Sequence, residues 1–149
     1  MPSVLYTVGY EGADIAHFLG TLKDCGIKRL IDIRDVPVSR KRGFSKTALA
    51  NALEEQEIAY SHLKALGDPK AGREAMRRGD YPAFLEIYTH HIATPEGQAA
   101  LREAVDLAKA SPSILLCYER SPAQCHRTVV AKEMALLDEF DIKNVGVNP

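Results

Sequence analysis

Apolar residues recur along this chain in two rhythms. Val4 to Val8, Leu30 to Ile33 and Ile114 to Cys117 are short aliphatic runs of the length of buried strands. Between them apolar positions repeat at helical spacing, as in Ile15, Phe18, Leu19, Leu22 and Cys25. The punctuation agrees. Asp14 caps that first helix and Gly26 ends it, and Leu49, Ala52 and Leu53 mark the inner face of a second. Ile58 to Leu63 reads as a third strand, closed by the turn Gly67-Asp68-Pro69. Residues 70–78 form a basic helix or turn that stops at Gly79, and Pro82 and Pro95 each open a further helix. Beyond the strand Ser113 to Cys117, the residues Ser121, Pro122 and Gln124 predict a capped helix reaching about Phe140. Lys143 to Val147 reads as a last short strand.

Strands alternating with helices predict an α/β fold, a mostly parallel sheet of about four to five strands with helices on both faces. The 149 residues suit a single domain over positions 1–149, with no repeat or linker inside it. In such sheets ligands bind beyond the carboxyl ends of the strands. Three suspicious clusters fall there: Tyr10 and Glu11, Arg34 and Asp35, and the segment from Cys117 to Arg127. One composite site is expected.

The segment from Cys117 to Arg127 carries the most chemistry. A helix starting after Ser121 would offer free N–H groups and a partial positive charge, favouring anions and thiolates. Arg127 early in that helix opposes the dipole, unless Glu119 or a ligand phosphate stands nearby. His126 shares a helical face with Val130 and Leu137, so packing and catalysis both fit it. Cys117 has the strand–loop–helix setting of thiol phosphatases and sulfur-transfer enzymes. The arginine those phosphatases place six residues on is Ala123 here, so packing is the better reading of Cys117. No metal is expected. Cys117, Cys125, His126 and His62 lack paired ligand spacing, and adjacent residues on a helix point about 100° apart. Arg34, Arg40, Lys41, Arg42, Lys46, Arg120 and Arg127 suit phosphate contacts, with Tyr10, Phe44 and Tyr60 as stacking or core aromatics. The plain alternative is an ion-pair network of Asp32, Arg34 and Asp35 beside a solvated basic loop.

Charge and cysteine usage narrow the setting. A formal net charge of −1 excludes a global basic field, so any nucleic-acid contact must use a local patch. Three cysteines without disulfide-framework spacing favour a reducing compartment. The start Met1-Pro2-Ser3-Val4 shows no leader, and no apolar run is long enough to span a bilayer. A cytoplasmic protein with no membrane partner is expected.

Four signatures resemble a known family: Thr7-Val8-Gly9-Tyr10-Glu11-Gly12, Asp32-Ile33-Arg34-Asp35-Val36-Pro37, Gly43-Phe44-Ser45-Lys46, and Leu116-Cys117-Tyr118-Glu119 followed by Cys125-His126-Arg127. Together they look like the domain of unknown function 488 family, from the first strand to the last helix. The resemblance implies a small α/β domain whose charged motifs share a cleft, and it brings no activity with it. It draws attention to Arg34, Phe44, Lys46, Glu119, Cys125, His126 and Arg127.

The leading functional expectation is an enzyme acting on a phosphate-bearing substrate, a nucleotide or nucleic acid, by hydrolysis or transfer. Glu119, Cys125, His126 and Glu11 are the candidate catalytic groups. Arg34, Lys46, Arg120, Arg127, Tyr10 and Phe44 are the candidate binding groups, and no cofactor is expected. Two rivals stand beside it: a non-catalytic nucleic-acid or nucleotide-binding module, and a thiol redox or sulfur-transfer protein. The oligomeric state is left open.

Overall fold

A computed structural model describes residues 3–147. Among these residues, five parallel strands form one sheet in the order β3-β2-β4-β1-β5. They are β1 (Ser3–Gly9), β2 (Arg29–Asp32), β3 (Ala59–His62), β4 (Ser113–Cys117) and β5 (Phe140–Val145). The helices are α1 (Ile15–Asp24), α2 (Lys46–Glu55), α3 (Lys70–Arg77), α4 (Tyr81–Ile92), α5 (Pro95–Ala110) and α6 (His126–Leu137).

The strand order dictates where the helices lie. From β1 through β2 to β3 the chain travels one way across the sheet; from β3 through β4 to β5 it travels back. Right-handed crossovers running in opposite directions must place their helices on opposite faces. The core divides accordingly. Phe18, Leu22, Leu49 and Leu53 of α1 and α2 pack with Val8, Leu30 and Ile114 on one side. Phe84, Tyr88, Leu101, Val130 and Met134 of α4 to α6 pack with Leu5, Ile31 and Leu115 on the other. β4, inserted between β1 and β2, is buried along its whole length, as its unbroken apolar run requires.

Local signals place most of these elements. The Asp14 side chain accepts the His17 N–H at 2.8 Å, and Gly26 leaves α1 at φ +71°, in the left-handed region that favours glycine. Thr94 caps α5 and Asp80 caps α4, each with proline in the first turn.

The end of the chain differs from the sequence expectation. The predicted helix after Ser121 is a short 3-10 turn, Pro122–Gln124, and Ser121 makes no side-chain cap bond. Cys125 is extended (φ −137°, ψ 142°), and α6 begins only at His126. The side chain of Gln124, the other half of the expected capping box, lies outside what the structure describes. α6 then stops at Leu137, three residues short, because Phe140 to Val145 pair with Ser3 to Val8 along the edge of β1. Ladder hydrogen bonds to β1 outweigh a further helical turn there.

Candidate active-site cleft

Strand ends whose chains leave to opposite faces open a crevice between them. β4 exits towards α6 while its neighbours β1 and β2 exit towards α1 and α2, so the crevice flanks β4 on both sides. A cleft of about 1180 Å³ lies there, lined by residues just beyond the ends of four strands. Tyr10 follows β1, Arg34 and Asp35 follow β2, Asp68 follows β3, and Tyr118 and Glu119 follow β4.

Asp32 and Arg34 form its base. The Arg34 guanidinium donates from Nε to Asp32 Oδ1 at 2.9 Å and from Nη2 to Oδ2 at 2.7 Å. Tyr60 donates its hydroxyl to the same carboxylate at 2.6 Å, and Arg34 Nη1 reaches the Phe44 carbonyl at 2.6 Å. Burial alone would lower the Arg34 pKa, but Asp32 more than offsets it and raises it. Asp35 takes no part in that pair. It accepts from Arg73 Nη1 at 2.9 Å and lies 3.4 Å from Lys64 Nζ, which together hold its carboxyl below the usual range despite partial burial.

Two carboxyls line the cleft, and burial raises the pKa of both. Asp68 is buried, its Oδ1 has no hydrogen-bond partner, and burial together with the nearby Glu119 charge pushes its pKa up to about 7. Room for it depends on Gly72, where a Cβ would sit 2.0 Å from Asp68 Oδ1. Glu119 is raised by burial too, while the Arg127 charge pulls it down.

Arg127 is fully buried rather than aimed into the cleft. Its guanidinium donates to the Glu119 and Arg120 carbonyls (2.5 and 3.0 Å), to Thr7 Oγ1 at 3.2 Å and to Cys117 Sγ at 3.1 Å. These acceptors explain a cation at the start of α6, and burial lowers its pKa to about 10. Arg120 bonds the Val147 carbonyl at 2.7 Å and does not line the cleft. Glu11 accepts the Arg120 N–H at 3.0 Å, which pins the β1 and β4 exit loops together. Lys46 is exposed at the start of α2, away from the cleft lining. Phe44 is fully buried and stacks on Tyr10 at 4.5 Å. That leaves Tyr10, Arg34, Glu119 and His126, of the ten expected site residues, on the cleft wall.

His126 packs edge-on against Tyr88 and bonds the Ile33 carbonyl through Nε2 at 2.6 Å. Burial lowers its pKa to about 4, so the ring is neutral and Nε2 carries the proton that Ile33 accepts. Its Nδ1 faces Cys125 Sγ at 3.8 Å. Cys117 and Cys125, expected as separate thiols, meet sulfur to sulfur across a sequence separation of 8. The loop between them folds back because Arg127 gathers its carbonyls. The argument that Cys125 and His126 diverge also fails, since Cys125 stands outside the helix.

Sequence reasoning missed Asp68, Arg73, Arg77 and Tyr118. The available signal was the position of Gly67-Asp68-Pro69 beyond the third strand, with Gly72 one helical turn on.

The family model for Domain of unknown function DUF488 matches residues 14–134, most of the chain. The chain belongs to this family. Arg34, Asp68, Glu119 and the run Cys125 to Arg127 lie inside the DUF488 match, whereas Tyr10 and Glu11 precede it. No curated protein and no solved structure matches the chain. Among the described residues, no helix is long and apolar enough to cross a membrane.

Proposed function

We propose that this DUF488 protein is an enzyme that acts on a nucleotide or nucleic acid in the cleft beyond the strand ends. The observation that carries the reading is the carboxyl pair Asp68 and Glu119 beneath a cationic rim. Asp68, with a pKa of about 7, holds a proton near neutrality and can give it up. Glu119 is the matching acceptor. Two carboxyls facing one cleft can serve cleavage or transfer at a glycosidic carbon, where one protonates the leaving group and the other activates the incoming nucleophile. The same pair has less to offer a displacement at phosphorus, which depends on cations around the transferring group.

The rim supports the substrate class. Arg40, Lys41 and Arg77 line the cleft and form no salt bridge among the described residues, so they are available to phosphate. Tyr81 and Tyr118 are exposed on its walls and present faces on which a base can stack.

The test is a thermal-shift screen with nucleotides, short oligonucleotides and phosphosugars, followed by a turnover assay on each ligand that stabilises the fold. Asp68→Asn should keep ligand binding and lower turnover by about 100-fold or more. Unchanged turnover would remove Asp68 from the chemistry. Tight oligonucleotide binding with no turnover, unaffected by Glu119→Gln, would instead establish a binding module.

A further inference from the structure

We propose that the reduced protein holds a divalent metal ion, zinc by its ligand chemistry, between Cys117, Cys125 and His126, with the open position facing Glu119 and the cleft. The site goes beyond the substrate reading and does not depend on it, because metal binding is measured with no substrate present.

The donors of these three buried residues all lie within 4.8 Å of one another. Thiolate and imidazole are the donor types zinc prefers, and three protein ligands with one open position are the pattern of its reactive sites. His126 Nδ1 lies 3.8 Å from Cys125 Sγ, a separation that suits a shared ion, and the two sulfurs, in contact here, must part to take one between them. Two ligands about 2.1–2.3 Å from one tetrahedral ion stand about 3.5–3.8 Å apart. The Cα atoms of Cys117 and Cys125 are 7.2 Å apart, beyond the usual disulfide span of about 4.4–6.8 Å.

The surroundings orient the donors. His126 Nε2 is tied to the Ile33 carbonyl at 2.6 Å, which leaves the Nδ1 lone pair directed at the sulfurs. A backbone carbonyl on the far ring nitrogen is the usual support of a metal-bound histidine. Arg127 Nη1 donates to Cys117 Sγ at 3.1 Å, a bond that an ionised sulfur accepts well. Two thiolates carry −2 and offset a divalent ion, and the Arg127 guanidinium faces Cys117 Sγ and the Glu119 carbonyl. Buried charge needs such compensation.

Loading the site is chemically balanced. A phosphine and one water molecule cleave the sulfur–sulfur bond between Cys117 and Cys125: the phosphine gives up two electrons and takes the water oxygen as its oxide, and the two water hydrogens leave two thiols. The metal ion then displaces both protons as two metal–sulfur bonds form.

The experiment uses the full chain, reduced with a water-soluble phosphine and titrated with Co2+ and then Zn2+. Co2+ should produce a thiolate charge-transfer band and tetrahedral ligand-field bands, both lost when Zn2+ displaces it. Cys117→Ser, Cys125→Ser and His126→Ala should each weaken or abolish the bands, whereas Cys25→Ser should leave them intact. Circular dichroism checks the fold of each variant. In the parent protein, Zn2+ should also slow alkylation of Cys117 and Cys125 but not of Cys25. Absence of the bands in the reduced parent overturns the site, as does full retention in folded Cys125→Ser. Fast alkylation of Cys117 that Zn2+ leaves unchanged also counts against it, and points to a reactive thiol.

Discussion

At the scale of single residues, two buried aspartates meet opposite fates. Asp32 is fully buried yet fully paired, with Arg34 and Tyr60 around its carboxylate. Asp68 is nearly as buried and has one oxygen with no partner. Desolvation therefore dominates at Asp68, and its pKa in the fold is about 7. A free aspartate titrates near 3.9 (about one proton lost by pH 5). From about pH 4 to about pH 7 the unfolded chain has released that proton while the folded chain keeps it, so the fold loses stability as pH rises. Above the folded pKa the loss is complete. Asp68→Asn should therefore raise stability at pH 8 by about 1–4 kcal/mol and leave it nearly unchanged at pH 4. Melting temperatures across that range check this, and an equal gain at both ends would contradict it.

Elements meet where the side chains are absent. Gly9 closes β1 opposite Cys117, and a Cβ there would lie 1.7 Å from the Glu119 carbonyl oxygen. That carbonyl is the one Arg127 holds, so the contact fixes how α6, β4 and β1 join. Gly9→Ala must push the exit loops apart and should cost about 1–3 kcal/mol in urea unfolding. Gly20, in α1, has open space around its missing Cβ. Gly20→Ala should be stabilising by about 0.5–1 kcal/mol, since alanine favours the helix. If both substitutions proved neutral, the close approach at Gly9 would not hold in solution.

On the scale of the whole molecule, a chain of net charge −1 concentrates cations on one rim. The loop that carries Arg40 and Lys41 is closed by Ser45, whose hydroxyl accepts the Ser39 N–H at 3.0 Å and donates to the Ser39 carbonyl at 3.1 Å. Those cations are thus held at the cleft mouth instead of ranging over solvent. An oligonucleotide bound there should show salt-dependent affinity, each phosphate contact adding about 0.7–0.9 to the logarithmic slope. Replacing Arg40 and Lys41 together with glutamine should flatten that slope by roughly the sum of two such contacts. An unaltered slope would move the phosphate contacts to another surface.

The sequence by itself determined most of the elements and which charged motifs stand at the strand ends. Alternation of apolar runs with helical periodicity, the cap at Asp14, the helix-opening Pro82 and Pro95 and the stop at Gly26 depend on neighbours along the chain, so they were legible there. The parallel α/β architecture and the gathering of Tyr10, Arg34 and Glu119 at the strand ends followed from them. Only the tertiary structure decided which polar groups face one another. The insertion of β4 between β1 and β2 buries Arg127 among carbonyls and brings Cys125 to Cys117, and the fold leaves Asp68 Oδ1 without a hydrogen-bond partner. Burial and pairing depend on what the crossovers deliver from far along the chain. Desolvation, the force that sets the chemistry of those groups, has no local signature in a sequence.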